Sequence, residues 1–279
     1  MTPQNTRIFR VVLGFWLFGW FVNAEGFLTN FFDALNFPID YETFPAALRH
    51  PGAALAVYLA PIFGIAALLR PAQQLAKITS PILAILALFA CLHLETCNDA
   101  TFLTSFWAAL WLVWLSWNGH RGGADFTLQA RALAQSILGL MFLGAAVGKL
   151  TPEYRSGEAF YGLYFRDNES FPYAWMKRTL PAPEVREIAT WFSRFAISAE
   201  LVLAASPLFS ARFVLAGASL TMLGMMLAWT FHLWSVLSCL FGLAVAASML
   251  EQGEAAIPAI KGSSSAQEAP PRGQTRAFR

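Results

Sequence analysis

The sequence predicts an all-α fold, a polytopic transmembrane helical bundle of about eight spans with both termini in the cytoplasm. Three observations carry that expectation. Of 279 residues, 57% are hydrophobic and only 13% are charged, far from the composition of a soluble domain. Apolar runs close to the ~20 residues that a bilayer demands recur along the chain. Basic residues gather in alternate short connections between those runs. The net charge of +2 is small and scattered, which argues against nucleic acid or a charged surface as the main partner.

The runs occupy residues 8–27, 53–69, 78–94, 101–117, 132–150, 188–208, 213–231 and 233–250. The first follows Arg7 and Arg10 as a signal peptide would, yet it lacks a small-residue cleavage site and further apolar runs follow, so a retained anchor is expected. Two segments beside the spans, 33–44 and 184–195, mix aromatic and polar residues and suit the membrane interface or a loop packed on the bundle. Arg70, Lys77, Arg121, Arg131 and Arg212 fall on the same side as the N-terminal arginines, and that side is read as cytoplasmic. The connection holding Glu95 and Asp99 falls on the other. Residues 1–250 then form the transmembrane domain. Residues 251–279, rich in Ser, Pro, Gly, Gln and Ala, read as a disordered cytoplasmic tail.

Cys91, Cys97 and Cys239 show neither a disulfide framework nor a zinc spacing, and no metal site is expected. Phosphate-loop, dinucleotide, HExxH and GxSxG motifs are missing. The many tryptophans and phenylalanines are expected at lipid-facing and interfacial positions rather than around a cofactor.

Ionisable groups in or beside a span are costly, about 2.5–3.5 kcal/mol at the bilayer centre, and usually face protein or a wet cavity. With the neighbouring Asn23, the set is Glu25, His93, Glu95, Lys149, Arg194, Glu200 and His232, with most toward the outer face. Lys149 fits two readings, a lysine snorkelling to outer headgroups or one turned into the protein. Arg194 and Glu200 stand about 240° apart round a helix and about 9 Å along it, so each needs a partner elsewhere. Glu200 reads as a hydrogen-bonder between helices or as a proton carrier. Gly144 and Gly148 would let another helix approach closely near Lys149.

The run 135–150 (QSILGLMFLGAAVGKL), followed by Tyr154 and Gly157, resembles the HTTM family, the membrane domain shared with vitamin K-dependent gamma-carboxylase. In that family a span ending in Lys-Leu is followed shortly by Trp and then Gly. Further similar features keep the same order: 98–103 (NDATFL), 117–119 (WNG), the acidic Glu200, Arg212 after that span, and Phe231-His232 opening the last. The resemblance covers about residues 78–250. It implies that Lys149 is a base toward a quinone or other lipid-soluble redox molecule at the outer face, with His232 and Glu200 as polar support. Asn98, Asp99, His93, Glu95, Tyr154 and Arg194 are then ligand-binding candidates. Desolvation disfavours an ammonium, so an amine withdrawn from water can accept a proton from a lipid-soluble hydroxyl.

Departures narrow the expectation. The carboxylase has histidine where this chain has Ala100, paired lysines at Gly148-Lys149, and tryptophan at Tyr154. It also carries a large lumenal portion, whereas this chain ends soon after its last span. Carboxylation of protein glutamates is therefore not expected. A non-catalytic membrane subunit or assembly factor docking a partner protein is the alternative. DoxX-like and MauE-like proteins share the Gly-Lys-Leu element but with about half the spans. A bacterial inner membrane is the expected location.

Overall fold

The computed structural model describes residues 1–36, 52–70, 73–91, 99–166, 171–227 and 231–264. Among these residues the fold is all-helical, with no strand. Long helices α1 (Pro3–Asn36), α2 (Gly52–Leu69), α3 (Gln73–Cys91), α4 (Asp99–Asn118) and α5 (Ala124–Gly148) lead into short ones, α6 (Pro152–Arg155), α7 (Glu158–Tyr161) and α8 (Tyr173–Thr179). Then follow α9 (Ala182–Ala204), α10 (Ala211–Leu227) and α11 (Phe231–Ser264). Helix α11 lies against α1, α4, α5 and α10, while α2, α3 and α4 pack in sequence and α9 leans on α5.

Among the described residues, three segments are long and apolar enough to cross a membrane: α3, α5 and 236–253 of α11. In α3 the packing is inverted relative to a water-soluble protein. Helix α3 buries Ala76, Ser80, Leu83, Ala84, Ala87 and Ala90 and exposes Ile78, Ile85 and Leu88. Small residues inside let backbones approach, and large apolar residues outside suit a hydrocarbon solvent.

The core corrects the expected placement of the tryptophans. Trp16, Trp20 and Trp111 are fully buried. Each indole N–H crosses to a neighbouring helix: Trp16 donates to Ser105 O at 2.8 Å, Trp20 to Val57 O at 3.1 Å and Trp111 to Ala130 O at 3.1 Å. A carbonyl has two lone pairs, so it can accept this bond while keeping its helical one. The rings thus fill the space between α1, α2, α4 and α5 with no orphaned donor. Trp117, Trp175 and Trp191 are exposed.

Element ends also differ from the expected ones. Helix α1 runs through to Asn36, taking in the start of the 33–44 segment. The 184–195 segment and the following span form the single helix α9. Helix α11 continues to Ser264, so the first part of the segment expected to be disordered is helical. Strong helix formers (Glu251, Gln252, Glu254, Ala255, Ala256) explain the extension. Glu251 also anchors it, accepting bonds from the N–H groups of Ala211 and Arg212 and pairing with Arg131 at 3.6 Å. A carboxylate at the start of α10 satisfies N–H groups that have no helical partner.

The basic connections share one end of the bundle. Met1 N donates to Gln73 Oε1, Thr2 N and Asn5 Nδ2 donate to Gly119 O, and Arg131 reaches Glu251 beside the start of α10. Helix α5 starts at this end, at Ala124, and carries Lys149 to the opposite one.

Candidate functional site

Helix α5 stops at Gly148, and Lys149 is its C-cap, with its N–H bonded to Ala146 O at 3.0 Å. A cation is favoured here because the last carbonyls of a helix carry partial negative charge. Side chains on a helix lean toward its N-terminus. The lysine accordingly folds back along α5, where Nζ lies 3.5 Å from Ala145 O and 2.7 Å from Glu200 Oε1. The nitrogen is turned into the protein rather than out to headgroups.

Packing of α9 on α5 puts Glu200 in place. The two helices run antiparallel, joined by a reciprocal bond lower down: Ser206 Oγ donates to Gln135 O at 2.7 Å, and Gln135 Nε2 donates to Ser206 O and Phe209 O. Gly139 makes the approach possible, since a Cβ there would stand 2.7 Å from Ala204 O. The expected close contacts at Gly144 and Gly148 are absent: a Cβ at either would meet nothing within 4 Å. The glycine that brings a neighbour near is the one facing the end of α9.

Side-chain exposure is 26% for Lys149 and 13% for Glu200, so the amine is the accessible member and the carboxylate lies behind it. Glu200 Oε2 is buried with no hydrogen-bond partner among the described residues. A buried carboxylate oxygen left without a donor is costly and is a position where a hydroxyl or an ordered water would be held.

The segment after α5 forms a small cap over this pair. Thr151 caps α6, its hydroxyl accepting from Tyr154 N, and Pro152 starts the turn with its ring in the favoured first position. Gly157 then adopts φ +83°, and a Cβ on it would lie 2.5 Å from Thr190 Cα. Only glycine combines that left-handed backbone with so close an approach. Three successive carbonyls of the cap accept from side chains of α9: Tyr154 O from Ser193, Arg155 O from Arg194 Nε at 3.4 Å, and Ser156 O from Thr190 at 2.8 Å. Three bonds from neighbouring turns of α9 fasten the cap to that helix in one register.

The cap has its own core of Phe165, Tyr173, Val185 and Ala189, with Phe160, Tyr161 and Tyr164 packed against it. Tyr164 is pushed up to about 12, first by burial, then by the nearby Tyr154, Tyr173 and Glu200. Burial, followed by the charge of Glu200, raises Tyr154 above the ordinary phenol value. Both phenols therefore stand close enough to the carboxylate to feel it and keep their protons through the neutral range. Tyr164 and Tyr173 were not among the candidates named from the sequence. The signal was the spacing of Phe160, Tyr161, Tyr164 and Phe165 in 159–165 (AFYGLYF), which puts aromatic rings on one face of a helical turn.

Of the residues named from sequence, Lys149 and Glu200 come together, and Tyr154 lies within electrostatic range of the carboxylate. Arg194 is exposed, donates to Arg155 O and takes no part in the pair. As the helical spacing requires, Glu200 finds its partner on another helix. His232 is the second residue of α11 and Asp99 the first of α4, but their side chains, like those of Asn23 and Glu25, are not described. His93, Glu95 and Asn98 lie outside the described residues. Among the described residues no cluster of three or more His, Cys, Asp and Glu side chains gathers for a metal. No protein-family model, curated protein or solved structure matches the chain.

Proposed function

We propose that the chain is an integral membrane protein of the HTTM type, with about eight spans and cytoplasmic termini, in a bacterial inner membrane. Its site at the end of α5 takes the hydroxyl proton of a quinol or a similar lipid-soluble phenol. The observation that carries this reading is the 2.7 Å bond between Lys149 Nζ and Glu200 Oε1, with the amine partly open and the second carboxylate oxygen unpaired.

Of the two groups expected to support the lysine, Glu200 lies within hydrogen-bond reach of it. A carboxylate within hydrogen-bond reach lets the two act in relay. Glu200 takes a proton from Lys149 Nζ, and Nζ takes one from the substrate hydroxyl. Protons balance: the hydroxyl loses one, the carboxylate gains one, and the lysine ends as it began, an ammonium beside the new oxyanion. The adjacent positive charge then stabilises that oxyanion. Tyr154, which stays protonated, can donate to the same oxygen.

Oxygen consumption driven by added quinol, measured on the purified protein in a lipid nanodisc, tests the assignment. Lys149→Ala and Glu200→Gln should each lower the rate by about 10²–10⁴, the range of a lost general base. Equal rates in wild type and Lys149→Ala would reject the lysine as base.

A further inference from the structure

We propose a second site beside the pair: the groove between α6 and α9 binds a phosphate group through Arg155 and Arg194. The groove encloses about 680 Å³, and Arg155, Ser156, Arg194 and Ser198 line it, with Leu150 and Ile197 below. It is independent of the Lys149–Glu200 chemistry.

Arg155 and Arg194 are brought to the lining of one groove by construction. Arg194 Nε donates to the carbonyl of Arg155 at 3.4 Å, and the flanking bonds from Ser193 and Thr190 hold that peptide against α9. Two like charges lining one groove disfavour each other, and an intramolecular carboxylate would ordinarily balance them. Among the described residues neither arginine has one: Glu158 pairs with Arg186 at 3.2 Å and Glu200 with Lys149 at 2.7 Å. The serine hydroxyls of the groove are occupied, Ser156 donating to Glu153 O and Ser198 to Arg194 O. The free donors are therefore guanidinium N–H groups, arranged in planar forks that match phosphate oxygens.

The exposed apolar residues of α9 outside the groove indicate where the phosphate comes from. Trp191 and Phe195, on the same helix as Arg194, are 63% and 72% exposed, and Val202 further along is also exposed. An arginine pair above an apolar strip suits a phospholipid headgroup with its chains along α9. A soluble phosphate ester would use the arginines alone.

Full-length protein in neutral detergent separates these sources. Native mass spectrometry counts bound lipid after addition of phosphatidylglycerol or phosphatidylcholine, and a parallel arm adds inorganic phosphate as competitor. Phosphatidylglycerol should bind at least about tenfold more tightly to wild type than to R155Q/R194Q, while R178Q, an exposed arginine on α8, behaves as wild type. Displacement by millimolar inorganic phosphate would assign the groove to soluble phosphates, and its absence to the lipid; both retain the arginine site. Equal phosphatidylglycerol binding by wild type and R155Q/R194Q, or equal loss in R178Q, would overturn the proposal. R155K/R194K guards against misfolding: it keeps the charge and should bind between the two, because an ammonium lacks the fork.

Discussion

Lys149 and Glu200 are each stable in place only while the other is present. The carboxylate is nearly enclosed, and its sole hydrogen-bonding partner among the described residues is the lysine 51 positions earlier. Removing one member of an enclosed pair leaves an uncompensated charge, whereas replacing both by apolar groups of similar volume is close to neutral. Lys149→Met should therefore destabilise the protein by about 1–3 kcal/mol, less than for a fully buried pair because the amine is partly solvated. The double variant Lys149→Met/Glu200→Met should recover most of that loss, as read by thermal unfolding in detergent. Quinol-dependent oxygen consumption should stay lost in the double variant, separating the pair's chemistry from its structural role. The anomaly at Lys149 was legible in the sequence, because a lysine closing an apolar run calls for a partner. The partner's identity was not, since nothing local to Glu200 shows which helix α9 leans on.

Glycine spacing proved a poor guide to helix contacts at the level of whole elements. Gly144 and Gly148 have the spacing of a close-packing motif, yet open space surrounds both, while Gly139 touches the end of α9 and Gly157 touches Thr190. A motif of small residues records a permitted approach; whether a helix uses it depends on which elements the connections deliver to that face. Substitution separates the cases. Gly139→Ala would drive a methyl to within 2.7 Å of Ala204 O, a backbone atom that cannot rotate away, and should cost about 1–3 kcal/mol as an overpacked contact does. Gly144→Ala, in a helix interior with nothing within 4 Å, should gain up to about 1 kcal/mol from reduced chain entropy. Unfolding of the two variants side by side checks the sign as well as the size. The helices themselves were largely legible from hydrophobic runs; the cap elements in 151–166 and 171–181 were not, beyond the aromatic spacing in 159–165, because they are short and held by side-chain bonds to α9.

For the molecule as a whole, the exposed apolar faces and the placement of charge set what a topology experiment should find. Helix α5 has 25 residues, about 37 Å of helix against a hydrocarbon core of about 30 Å, and it exposes Leu140, Leu143 and Val147 along its length. Arg121 lies before its start and Arg131 just inside it, at the end of the bundle that also holds the chain's N-terminus. Lysine and arginine near span ends favour the cytoplasm, so His120 should face inward and the cap, with Glu184, outward. Both side chains are exposed, which makes them suitable labelling positions. Cys91 and Cys239 are buried thiols, so replacing Cys97 leaves a quiet background. In intact cells a membrane-impermeant maleimide should label Glu184→Cys, and His120→Cys only after permeabilisation. The reverse pattern would invert the orientation. Labelling of both without permeabilisation would mean that α5 does not cross, and the proton-relay site would then lose its access to a lipid-soluble substrate from the bilayer.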